Sequence, residues 1–145
     1  MRAKATVRPS SMRHAFELAS IPLRMASSGT GKSYRDLRVW DEAISLALEV
    51  YRITESFPQA ERFGLTSQLR RAVVAIASNI AEGHARSTRG EYKNFLSIAR
   101  GSVAEVEVQL TLAKELGYVQ SPAIAKPLDL CDAISRMITN LKRAL

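Results

Sequence analysis

The side chains of this chain best suited to chemistry are its cations. Arg70 and Arg71 stand together in an apolar run, and Arg86, Arg89, Lys93 and Arg100 follow at spacings of three, four and seven. On a helix already formed at position 86, those last four project from one side. Guanidinium and ammonium groups in a stripe suit phosphate oxygens, which fix a protein's register on a nucleic acid without reading its bases. The same stripe also works as a solvated face with local ion pairs, for which Glu82 and Glu91 are the nearest acids. Little aromatic character is interleaved with these cations. Contact with backbone and shape is therefore expected in preference to base stacking.

Other chemistries find less support. His14, His84 and Cys131 lack the spacing of metal ligands, and no Ser, Thr or Cys has a nucleophile's context. Glu82 and His84 sit at a helix end, where capping or a salt bridge accounts for them. Ala26 to Ser33 reads ASSGTGKS, a relaxed phosphate-loop pattern. A working phosphate loop needs a strand before it and further strands to carry the magnesium-binding aspartate. This chain offers helical periods only, so the run reads as a flexible Gly/Ser linker. No enzyme, metal or cofactor is expected.

The element that must position the cations is a helix over Leu65 to Gly83. Leu69, Val73, Ile76 and Ile80 repeat at three- and four-residue spacing, the stripe of a 3.6-residue period. Ala72, Ala75, Ala77 and Ala81 make a second, small side that lets another helix approach closely. Gly83 is expected to end the helix in a left-handed conformation. Ser78, Asn79 and Glu82 interrupt the apolar surface. A buried polar group without a partner costs about 1–3 kcal/mol, so Asn79 and Glu82 are expected to bond another helix or subunit and fix register.

Three more helices flank this one. The first is expected from about Asp36, with a Ser33/Asp36 capping box. Its stripe is Leu37, Trp40, Ile44, Leu48 and Tyr51, and Phe57-Pro58 ends it. The third spans roughly Arg89 to Leu116, with a Thr88/Glu91 capping box, a stripe from Tyr92 and Phe95 through Ala99, Val103, Val106 and Leu110 to Ala113, and Gly117 as its stop. Gly101 inside it predicts a close helix contact. The fourth has Ser121 as N-cap, Pro122 at the first helical position and a stripe from Ile124 to Leu145. Pro127 is expected to bend its first turns or delay its start. Short connections make an all-α, up-down-up-down four-helix bundle the simplest packing over residues 34–145.

The 145 residues carry a net charge of +7, and its distribution is uneven. Residues 1–33 hold six basic residues against Glu17 alone, +5, and residues 34–145 hold fifteen basic against thirteen acidic, +2. With Pro9, Pro22, Gly29, Gly31 and no sustained period, the first segment reads as a disordered basic tail. A basic pI invites a nucleic-acid assignment, yet most of the excess lies outside the predicted bundle. The single cysteine, Cys131, rules out an internal disulfide. No apolar run nears the ~20 residues of a membrane span, so a cytoplasmic protein is expected.

Several blocks, in order and with matching gaps, carry a resemblance. TSQLRRA followed by SNIAEG resembles the signature of the bacterial four-helix-bundle proteins of intervening sequences in 23S rRNA genes. YRDLRVWDEAISLALEVYRITESFP resembles that family's first helix, and EYKNFLSIARGSVAEVEVQLTLAKELGY its third. The resemblance covers Tyr34 to Leu145. It implies an all-helical fold and a homo-oligomer, a ring of five. A related group, the accessory proteins of diversity-generating retroelements, binds nucleic acid and a reverse transcriptase, which adds both as implied partners. The family pattern begins shortly before Tyr34, so translation is expected to start at Met25. The resulting expectation is a non-enzymatic pentameric scaffold for structured RNA or DNA. The alternative is a protein-interaction adaptor without nucleic-acid binding.

Overall fold

The computed structural model describes residues 33–145. The basic tail, most of its phosphate-loop-like run and the Met25 start lie outside the described residues. Four α-helices account for most of the rest: α1 (Arg38–Thr54), α2 (Leu65–His84), α3 (Arg89–Glu115) and α4 (Ser121–Ala144). Single 3-10 turns, Tyr34–Asp36 and Gln59–Glu61, precede α1 and α2. Each helix packs on its neighbour in sequence, and α1 closes the square against α4. The diagonal pairs do not meet. This is the up-down-up-down bundle that the short connections imply.

The core is built on α2. Leu69, Val73, Ile76 and Ile80 are fully shielded from solvent, and Ala72 and Ala77 are buried beside them. From α3 come Leu96, Ala99, Val103, Val106, Leu110 and Ala113, and from α4 Ile124, Cys131, Ile134 and Ile138. On α1 the buried stripe is Val39, Ala43, Leu46, Val50 and Thr54, one step round from the expected one. Both stripes have three- and four-residue spacing, so period alone does not choose between them. The larger Trp40, Ile44 and Tyr51 are only half-buried, against the edge of the core.

The caps differ from expectation in informative ways. Ser33 and Asp36 do form a capping box, but on the 3-10 turn; α1 itself begins after Leu37. Thr88 caps α3, its hydroxyl accepting from the Glu91 N–H and donating to the Glu91 carboxylate at 2.7 Å. Gly117 has φ +76°, and the Tyr118 N–H reaches the Ala113 carbonyl at 2.9 Å, the six-to-one bond of a Schellman stop. Helix α4 starts at Ser121 with Gln120 as its N-cap, and runs through the buried Pro127 without delay.

Two glycines behave otherwise than their positions suggest. Gly83 lies inside α2 and not in the left-handed region. A Cβ there would stand 2.8 Å from Phe95 Cβ and 2.9 Å from Tyr92 Cδ2, so its absence is what lets α3 pass so close. Gly101 has nothing within 4 Å of where its Cβ would be, and no close helix contact explains it. Gly101→Ala should therefore stabilise the fold by up to about 1 kcal/mol through helix propensity alone. Gly83→Ala should destabilise it by about 1–3 kcal/mol through overpacking. Urea unfolding of the two variants measures both signs.

Candidate nucleic-acid interface

The six sequence-predicted cations do not form one patch. The Tyr118 hydroxyl donates to Glu61 Oε1 at 3.2 Å, which puts the α1–α2 and α3–α4 turns at one end of the bundle. Arg70 and Arg71 lie near that end. Arg89 reaches the Leu145 carbonyl at 3.5 Å, which puts the start of α3 and the end of α4 at the other. From Arg71 to the end of α2 the separation is roughly 20 Å at 1.5 Å per residue.

At the first end, Arg70 is committed within the chain. Its Nε donates to Thr54 Oγ1 at 2.8 Å and its Nη2 to Glu55 at 3.3 Å, and its guanidinium lies 4.6 Å from the Tyr51 ring centre. The Thr54 hydroxyl passes its own proton to the Val50 carbonyl at 2.8 Å. The network ties the last turn of α1 to the first turns of α2. Arg71, one residue on, points outward and has no acid partner among the described residues.

At the second end, α3 begins at Arg89, so the helix does not extend back to position 86. Arg86 sits in the preceding turn with its guanidinium 4.7 Å from the Phe95 ring centre. Arg89, Lys93 and Arg100 do share one face of α3, along the seam with α4. There they meet Lys142, whose Nζ donates to Ser97 Oγ at 2.6 Å. Arg100 and Lys142 line one groove of 450 Å³ with Ser97, Gly101 and Glu107. Among the described residues none of Arg86, Arg89, Lys93 and Arg100 is ion-paired. Glu91 is occupied by its cap. Arg89 stands at the positive end of the α3 dipole but donates to the C-cap of α4, and Arg86 lies between the C-terminus of α2 and the start of α3, so opposed helix dipoles act on both.

A family model described as 23S rRNA-intervening sequence protein matches residues 35–140. The chain belongs to that family. A solved structure similar to it is a protein of unknown function from the S23 ribosomal protein family of Bacteroides thetaiotaomicron. The two are 20% identical with a TM-score of 0.67, over 72% of this chain and 97% of that one, which establishes a shared fold. No curated protein matches the chain.

In this family member the polar residues Ser78, Asn79 and Glu82 of α2 find no partner on another helix among the described residues. Asn79 Nδ2 donates to the Ala75 carbonyl of its own helix at 2.8 Å, and Ser78 and Glu82 are exposed. Among the described residues neither Asn79 nor Glu82 bonds another helix. Cys131 is fully enclosed, and burial, reinforced by Glu107 and Asp132, pushes its thiol up to about 12, which keeps it a thiol at neutral pH. Among the described residues no three His, Cys, Asp or Glu side chains converge on a metal position. No helix of these residues is long and apolar enough to cross a membrane.

Three residues that sequence analysis passed over stand beside the predicted ones. Lys142 joins the α3 seam through antiparallel packing, across 45 residues of chain. Arg62 and Phe63 line the same 660 Å³ groove as Arg70 and Arg71. An Arg-Phe pair in the turn before α2 was the only sequence signal for that groove. The two neighbouring arginines should separate cleanly by mutation. Arg70→Ala should cost about 1–2 kcal/mol of stability by leaving Thr54 and Glu55 short of a donor, and Arg71→Ala should stay within about 0.5 kcal/mol of wild type. Thermal unfolding with a calorimetric readout distinguishes them.

Proposed function

We propose that this protein is a non-enzymatic, homo-oligomeric scaffold that holds structured RNA or DNA, acting in the cytoplasm. The observation that carries the proposal is the set of unpaired cations along the α3–α4 seam: Arg86, Arg89, Lys93, Arg100 and Lys142. They gather around a single groove acid, Glu107, and none of them is in a salt bridge among the described residues. A polyanion relieves their mutual repulsion, and phosphates need no base-specific geometry. Membership of the 23S rRNA-intervening sequence protein family supports an RNA context. A reverse transcriptase is the further partner proposed for a retroelement setting.

The oligomer rests on two unlike apolar surfaces. On one side Trp40, Ile44, Ala47 and Val74 border a 280 Å³ groove between α1 and α2. On the other, Val108, Leu112 and Leu116 recur every four residues along the exposed side of α3, 67%, 47% and 51% exposed. Exposed apolar stripes of this kind mark contact surfaces. Because the two differ, docking one on the other is head-to-tail, and head-to-tail contacts form a ring where the rotation closes and a filament where it does not. A ring of five is the proposed closure, and it multiplies the cationic seam by avidity.

Light scattering should give a mass several times the 16.0 kDa of one chain. A monomer at micromolar concentration would remove the ring. Replacing Val108 and Leu112 with Lys should lower the mass without loss of helix content by circular dichroism.

For nucleic acid, affinity for a structured RNA hairpin should fall steeply with salt, because bound phosphates release counterions. Removing residues 1–24 should preserve that slope. In the shortened protein, replacing Arg86, Arg89 and Lys93 together with Ala should weaken binding to unrelated sequences about equally, with little change in unfolding midpoint. Binding that vanishes with residues 1–24, and a triple variant without effect, would favour the protein-interaction adaptor instead.

A further inference from the structure

The corner where α1 ends and α2 begins holds a feature that phosphate contact does not use. Phe63 is 88% exposed, the most exposed large apolar side chain among the described residues. The Arg62 guanidinium lies 5.3 Å from its ring centre. Both border the 660 Å³ groove whose wall is Arg70 against Tyr51, with Arg71 and the half-buried Ser67 on the rim. That volume is in the range of small-ligand sites.

The local charge is positive by one, with Arg62, Arg70 and Arg71 against Glu55 and Glu61. Glu55 is held by Arg70 at 3.3 Å. Glu61, next to Arg62, accepts from the Leu65 N–H at 2.7 Å and from the Tyr118 hydroxyl at 3.2 Å. Neither Arg62 nor Arg71 makes an ion pair among the described residues. A second protein surface seated here would bury two unpaired guanidinium groups, at considerable desolvation cost. A ligand with both a flat apolar face and an anion satisfies ring and guanidinium groups together. An unpaired nucleotide is such a ligand: bases of every kind stack on aromatic rings, and the flanking phosphates meet the arginines.

We propose that this groove takes an unpaired nucleotide of the bound nucleic acid, its base stacked on Phe63 and its phosphates on Arg62 and Arg71. The site rests on the nucleic-acid function proposed above and adds single-stranded character to the substrate. It lies at the other end of the bundle from the α3–α4 seam, so one molecule of RNA reaches both only by carrying a single-stranded stretch beside its folded part.

The test uses the full chain and three fluorescent RNA probes: a blunt hairpin, the hairpin with a short single-stranded uridine tail, and the hairpin with an abasic tail of equal length. The two tails carry the same number of phosphates and differ only in their bases. Wild type should bind the uridine-tailed probe on the order of tenfold more tightly than the abasic one. Phe63→Leu, which keeps apolar bulk and removes the aromatic face, should abolish that preference and leave blunt-hairpin affinity unchanged. Phe63→Trp should retain it. A wild type without the preference, or a Phe63→Leu variant that keeps it, overturns the stacking site while hairpin binding still stands. A Phe63→Leu variant of reduced mass by light scattering also overturns the site, since the ring is then a contact between protein copies. Wild type that binds none of the three probes overturns the stacking site and the nucleic-acid function together.

Discussion

The close approach of α2 and α3 at Gly83 governs the geometry of this bundle. With 2.8 Å between Phe95 Cβ and a Cβ that Gly83 does not have, any side chain at position 83 would push the start of α3 outward. That start carries Arg89, and the turn before it holds Arg86, packed on Phe95 itself. The α2–α3 contact is the most extensive in the molecule. The cationic seam is thus held by the tightest part of the core, and its side chains project from a helix with little freedom to shift.

Arginines in this protein fall into two physical classes. Arg70 has its donors on Thr54 and Glu55 and its face on Tyr51, and it works as a cross-link between α1 and α2. Arg71 and Arg86 have solvent or an aromatic ring for company and no ion pair among the described residues, and Arg89 donates only to the Leu145 oxygen. A guanidinium stacked on a ring keeps its fork of N–H donors free for an anion. Arg62 on Phe63 and Arg86 on Phe95 repeat that arrangement at opposite ends of the bundle. Restrained cations of this kind lose little side-chain entropy on meeting phosphate, which favours recognition over mere attraction.

The apolar surface follows from the same economy of packing. Four helices around one core hide one stripe each. Helix α1 has two, and the bundle buries the smaller: Val39, Ala43, Leu46 and Val50. Trp40, Ile44 and Tyr51 are left at the margin, together with Val74 of α2. Helix α3 carries its surplus as Val108, Leu112 and Leu116. These residues exceed what a single chain has room to enclose, the ordinary origin of a subunit contact.

Periodicity in the amino-acid sequence determined the fold class, the four helices and the core of α2, because a 3.6-residue repeat with capping residues leaves few alternatives. Family membership was legible as well, in the blocks around TSQLRRA and SNIAEG. Local chemistry also determined the Gly117 stop, where only a residue without Cβ adopts φ +76° cheaply. Tertiary structure alone decided which of two equally periodic stripes of α1 faces inward, since that depends on the volume left by α2 and α4. It decided that Gly83 serves a close contact and not a helix end, and that Arg70 and Arg71 part ways. It also decided that Lys142 joins Arg100, and that Arg62 and Phe63 share a groove with residues of α1 and α2. Each of these depends on distances between segments far apart in the chain, which spacing along one helix does not encode.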